Sequence, residues 1–215
     1  MTRRVIDWGL RPYPESLEAM RRLRVERHAG AIEDTLILVE HPAVVTVGVE
    51  GDDGSAAVSG LPVVAVERGG KSTYHGPGQL VGYPIVDLSA TGRDVRAFVH
   101  GIETLVIETL GAFGIPGEHV SGRRGVWVDG RRKIASIGIA VQDWVTFHGF
   151  ALNVDMDLDP FERIHPCGFE GRVMTSMAKE LGRRVTLDEV KAVLRSRWVD
   201  VPLGPAHATM AAPTA

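Results

Sequence analysis

Only one cysteine, Cys167, stands among the 215 residues. A disulfide within the chain is therefore impossible, and a cysteine-built zinc or iron–sulfur site is excluded. Aromatic residues amount to 6% and the net charge is −3, which gives no general attraction for nucleic acid or an anionic membrane. No apolar run approaches the ~20 residues of a membrane span, and Met1-Thr2-Arg3-Arg4 leads into no signal-peptide core. The expectation is a cytoplasmic protein that binds neither nucleic acid nor membrane. Neither a P-loop spacing nor a GxGxxG turn after a strand is present. The eight histidines are scattered without HExxH or similar ligand spacing, so no metal site is expected.

What is present suits a globular domain large enough to bury a core. Pro14 to His28 reads as a helix with Pro in its first turn. The apolar run Thr35 to Val39 has strand length and halts at His41-Pro42, and Val44–Val47 and Pro62–Val66 are further strand candidates. Residues 50 to 60 read as a loop. Val95, Phe98, Val99, Ile102, Leu105, Val106 and Leu110 recur at helical spacing between Asp94 and Phe113. Val126-Trp127-Val128, the turn Asp129-Gly130, and a run from Ile134 predict a hairpin. A strand pattern follows from Val145 to Val154. Thr186-Leu187-Asp188-Glu189 is a capping box opening a last helix to Trp198. Strand runs and hairpins with few helices predict an α+β fold. One domain is expected over residues 1–201, with a disordered tail over 202–215.

Three segments suggest chemistry. Arg68 to Gln79 packs four glycines among Arg68, Thr73, His75 and Gln79, so backbone N–H groups and side-chain donors approach one place. Lys133 enters a strand where alternation puts Lys133, Ala135 and Ile137 on one face and Ile134, Ser136 and Gly138 on the other; from local context alone it reads as a surface lysine. Pro166-Cys167-Gly168 suits a turn, leaving core filler, surface thiol or nucleophile open for Cys167. A lysine facing that thiol would favour the thiolate. His75 and His148 adjoin these motifs. His28, His100, His119 and His207 read as surface residues, and His165 lies two residues before the cysteine. The short basic runs Arg21-Arg22, Arg123-Arg124 and Arg131-Arg132-Lys133 read first as solvated faces, with a positive patch for an acidic protein partner as the alternative.

In order and spacing, Glu40-His41-Pro42, the run Arg68–Pro84, Lys133–Gly138, His148–Asn153, Pro166-Cys167-Gly168 and Thr175-Ser176 resemble the lipoyl(octanoyl) transferase family, the octanoyltransferases of lipoate biosynthesis, across residues 5–198. The resemblance implies a biotin/lipoate protein ligase-like fold, a mixed and largely antiparallel sheet with flanking helices. It implies Cys167 as acyl-thioester nucleophile and Lys133 as its activating partner. Arg68, Gly69, Gly70, Lys71, Ser72, Thr73, Tyr74 and His75, with Ser136, Ile137, Gly138, Gly149, Phe150 and Ala151, match the family's substrate-lining stretches. The implied reaction moves octanoyl from octanoyl-acyl carrier protein to a lysine of lipoyl domains, those of 2-oxo acid dehydrogenase E2 subunits and the glycine cleavage H protein. No cofactor is implied, because the donor is already a thioester, and a monomer is expected. Where family members often carry arginine after Thr46-Val47-Gly48, this chain has Val49 and Glu50. An ATP-dependent lipoate or octanoate ligase, an amidotransferase between two proteins, and a non-catalytic acyl-binding protein are the competing readings.

Overall fold

The computed structural model describes residues 3–52, 54–164 and 173–204. Its main sheet has seven strands: β1 (Arg3–Leu10), β2 (Asp34–Glu40), β6 (Gln79–Ile85), β10 (Val145–Asn153), β9 (Arg132–Gln142), β8 (Arg123–Val128) and β7 (Gly117–Val120), in that spatial order. β1 runs parallel to β2, and every other neighbour in this sheet is antiparallel. A second sheet of three short strands, β4 (Val63–Ala65), β3 (Val44–Val47) and β5 (Ser72–His75), stands beside it. The α+β, mixed and mostly antiparallel architecture agrees with the expectation.

The continuous apolar run in β2 is explained by burial on both faces. Leu36 and Leu38 point into the cluster formed by α3 (Val95–Gly111) and α6 (Leu187–Trp198). Ile37 and Val39 point the other way, toward Tyr13, Leu17 and Met20 of α1 (Tyr13–His28). A strand covered on both sides loses the polar alternation that marks a half-exposed one. Helix α3 starts where Asp94 accepts N–H bonds from Arg96 and Ala97, and Phe98, Ile102, Leu105, Val106 and Leu110 are all buried. The capping box at Thr186 forms as read, with Glu189 returning to the Thr186 N–H.

Four features depart from the sequence reading, the first that β5, β6 and β7 lie in stretches where no strand was read. β1 was not anticipated. At the sheet edge, with one partner strand, its pattern of half-buried residues is weak. Residues 50–60 include a four-residue helix, α2 (Ser55–Val58). Finally, Leu203 is buried in the main core beside Val201, and Gly101 of α3 has no room for a Cβ because the Pro202 carbonyl would lie 2.1 Å from it. Order thus continues past residue 201, whereas 205–215 lie outside the described residues. Two further short helices, α4 (Asp159–Glu162) and α5 (Met177–Leu181), flank the segment bearing Cys167. Leu203→Ala is expected to lower the unfolding free energy by about 2–4 kcal/mol, as for other buried leucines. Urea denaturation measures it, and an unchanged midpoint would place Leu203 outside the core.

Candidate functional site

Between the small sheet and the centre of the large one lies a narrow slot of about 30 Å³. Alternation decides which residues reach it. On β5, Thr73 and His75 line the slot, while Tyr74 turns away to meet Phe161 edge-on at 5.4 Å. On β9, Ser136 and Gly138 face it with Ile137 at the border, and β10 supplies His148, Gly149, Phe150 and Ala151.

The slot opens where the sheet stops pairing. Pro84 in β6 has no N–H to give, and β10 pairs with β6 only from Phe150 to Asn153. Opposite Pro84, His148 takes φ +57, a strained left-handed backbone for a histidine inside a strand. The Thr146 hydroxyl repairs the gap, donating to the Pro84 carbonyl (2.6 Å) and accepting from the Val86 N–H (3.0 Å). Gly149 has to be glycine, for a Cβ there would stand 2.0 Å from the Gly82 carbonyl oxygen.

Arg68 closes the slot from the side of the small sheet. Its buried guanidinium donates to the Thr46 carbonyl and hydroxyl (both 2.8 Å), the Lys71 carbonyl (2.8 Å) and the Gly69 carbonyl (3.1 Å). Its stem lies against Gly138, where a Cβ would meet Arg68 Cδ at 2.8 Å. The role of the glycine-rich stretch is thus divided. Thr73 and His75 face the slot, Gly69 is tied through its N–H to the Ile139 carbonyl (3.1 Å), and Gly70 and Lys71 border a separate groove. Of the fourteen substrate-lining candidates, Gly69, Gly70, Lys71, Ser72 and Tyr74 do not line the slot itself. The buried Thr73 hydroxyl has no hydrogen-bond partner among the described residues.

Five buried rings cluster here: Tyr13, His75, Tyr83 and His148 line the slot, and His41 stands behind them. Burial pulls His41 and His148 down to about 4 and His75 to about 3. The bonding agrees with neutral rings. His41 Nδ1 donates to the Arg11 carbonyl (2.7 Å), so Nε2 accepts from the Tyr83 hydroxyl (2.7 Å). His75 Nδ1 donates to Gln79 Oε1 (2.8 Å), because the Gln79 amide is spent on the Tyr74 carbonyl and Asn153 Oδ1. Tyr13, Val81 and Tyr83 were missed in the sequence. Their signal is side-chain alternation in β6 and the placement of α1, both of which require the tertiary fold.

Lys133 is buried, with 3% of its surface exposed. This overturns its reading as a surface lysine. Its ammonium lies 5.6 Å from the Trp127 ring centre, and its stem crosses Gly125, where a Cβ would come within 2.7 Å of Lys133 Cε. Lys133 and Ile137 border the groove shared with Gly70, Lys71, Arg123 and Arg124, as the alternation required. The Lys133 carbonyl accepts from the Thr175 N–H (3.0 Å), and Lys133 bridges Met174 in parallel. Cys167, with His165, Pro166 and Gly168, lies outside the described residues, as does His207. The chain leaves for that segment from buried Ile164 and, on return, pairs with Lys133 at Met174–Thr175. Glu50, at the unusual position, accepts from the Gly70 N–H (3.1 Å) and stands 3.7 Å from Arg124.

The family model of the lipoyl protein ligase A/B catalytic domain matches residues 12–198. The chain belongs to this family. Among curated relatives, the octanoyltransferase of Geobacter sulfurreducens is 43% identical over 93% of this chain and 84% of its own length. That of Pseudomonas putida strain W619 is 47% identical over 90% and 89%. The fold is similar to that of lipoate-protein ligase A solved with ATP, with a TM-score of 0.73 at 16% identity over 92% of this chain and 84% of the other. A biotin protein ligase from Aquifex aeolicus matches with a TM-score of 0.54 at 12% identity over 92% and 68%. At such identities the two structures speak for the lipoyl/biotin ligase fold alone.

In this family member the neutral histidines tie stability to pH. In the unfolded chain they titrate near 6.5, whereas in the fold they resist protonation down to about 4 or below. Between those values the unfolded state binds more protons, so stability is full above pH 6.5 and falls as pH drops. Each ring contributes a slope of at most about 1.4 kcal/mol per pH unit. His41→Gln is expected to flatten the decline between about pH 6.5 and 4.5 by one proton's worth. Denaturant titrations across that range read it directly, and an identical slope would show that His41 protonates within the fold.

Proposed function

We propose that this chain transfers octanoyl from octanoyl-acyl carrier protein to a lysine of lipoyl domains through a thioester on Cys167. The octanoyl-transfer class rests on family membership and on the octanoyltransferases at 43–47% identity. The covalent route rests on one observation above the others: a buried lysine whose groove shares Ile137 with the apolar slot, its backbone bridged to Met174 and Thr175, where the chain returns from the Cys167 segment.

The chemistry balances without an outside activator. The Cys167 thiolate attacks the donor carbonyl, forming the acyl-cysteine and releasing the carrier thiolate. Lys133 in its ammonium form first stabilises the Cys167 thiolate and then gives a proton to the leaving sulfur. Now neutral, Lys133 takes a proton from the acceptor amine as that amine attacks the acyl-cysteine. An amide forms and the cysteine thiolate returns beside a charged lysine. Exchange of one thioester for another is near balance, and amide formation runs downhill. The lining suits an alkyl chain, since its rings carry no charge at neutral pH; the slot widens to admit the chain, and burying each methylene contributes about 0.8 kcal/mol. The Thr73 hydroxyl is placed to donate to the acyl carbonyl. Acceptors are proposed to be the lipoyl domains of 2-oxo acid dehydrogenase E2 subunits and the glycine cleavage H protein.

Intact mass after incubation with octanoyl-acyl carrier protein tests the scheme. Wild-type protein is expected to gain one octanoyl group, mapped to the Cys167 peptide, and Cys167→Ser to gain none by thioester. Wild-type turnover in that variant, or turnover that requires ATP, would replace the scheme with the ligase reading. Lys133→Ala is expected to lower kcat/KM about 10²–10⁴-fold and to raise the pH at which the thiol is alkylated. An unchanged alkylation profile would remove Lys133 from thiolate activation.

A further inference from the structure

We infer that His100, Glu103 and His119 form a binding site for a divalent first-row transition ion of the zinc type. His100 and Glu103 stand three residues apart on α3 and so share one face of the helix. β7 brings His119 beside them. One donor atom from each residue lies within 4.8 Å of the other two. Sequence spacing gave no hint of this, because the third ligand comes from the neighbouring strand.

The arrangement is close to what coordination requires. His119 Nδ1 stands 3.0 Å from Glu103 Oε2, and ligands ~2.0–2.1 Å from a tetrahedral zinc ion stand ~3.3 Å apart. The two imidazoles stack at 4.2 Å between centres and 21° between planes, which keeps both rings next to the Glu103 carboxylate. Glu103 is already fixed: its other oxygen accepts the Gly125 N–H at 2.9 Å, while Oε2 is held by His119 Nδ1, a bond that an ion between the two would replace. Outer support of this kind orients a metal-binding carboxylate. Two imidazoles and one carboxylate match the ligand set of open zinc sites, in which water or a bound ligand takes the fourth position. His100 and Glu103 also border a groove of about 570 Å³, which gives that fourth position access to solvent. An ion here would clamp α3 to the β7–β8 edge, whose Gly125 supports Lys133. The inference does not depend on the acyl-transfer mechanism.

The test is titration of the untagged full chain with zinc chloride by calorimetry, in a Cys167→Ser background that removes the thiol as a ligand. One ion per chain is expected. His119→Ala and Glu103→Gln are each expected to weaken binding at least about tenfold, as loss of a ligand should. Glutamine keeps an oxygen for the Gly125 N–H, so the fold is spared. His28→Ala, an exposed histidine elsewhere on the surface, is expected to bind as the parent does. At a hundredfold excess of zinc over Kd, the melting temperature should rise by about 5–10 °C, and this rise should vanish in His119→Ala. No binding, or equal affinity in the parent, His119→Ala and Glu103→Gln, would overturn the inference.

Discussion

The slot exists because one buried guanidinium holds two sheets together. Arg68 reaches from the glycine-rich loop to the Thr46 carbonyl and hydroxyl on β3 and lies flat on Gly138 of β9. Hydrogen bonds to a charged donor contribute about 1.5–3 kcal/mol each, more than neutral ones. The planar fork also fixes direction, which a lysine ammonium would not. Much else follows from this one side chain. Gly48 and Gly138 leave room for it, the loop's carbonyls turn inward to meet it, and Thr73 and His75 are carried to the slot wall.

Around that anchor the site separates into a neutral interior and a charged rim. Inside, three histidines are kept uncharged by burial and hydrogen bonded to tyrosines, a glutamine and a backbone carbonyl. At the rim, Lys71, Arg123, Arg124 and Glu50 border the groove next to Lys133. A hydrogen-bonded series from His75 through Gln79 and Asn153 to Thr175, and from Thr175 to the Lys133 carbonyl, joins the two regions. The interior is thus without charge at its histidines, and the charged groups gather at the rim.

Periodic features were legible in the sequence. The α3 stripe, the Thr186 capping box, the Asp129-Gly130 hairpin and the doubly covered β2 all appear where local pattern placed them. The slot-lining residues of β9 and β10 were legible as motifs. Features that arise from pairing between distant segments were not. β1 shows its strand character only against β2, and Tyr13 joins the slot only because α1 crosses β6 and β10. Burial of Lys133 depends on Gly125, on Trp127 and on the Met174 bridge far downstream, none of which alternation within one strand reveals. The His100–Glu103–His119 group escaped for the same reason.

The two ends of the described chain are joined. Arg3 donates to the carbonyls of Trp198 (3.0 Å) and Val201 (2.7 Å), and Lys191 pairs with Asp7 at 3.0 Å. During synthesis the first strand therefore emerges long before the groups that secure it. Until α6 and Leu203 clear the ribosome, the α3 surface they cover stays open to solvent and to passing hydrophobic chains. Completion of the core waits in this way on α6 and Leu203, and a nascent chain stalled short of them is a natural client for chaperones.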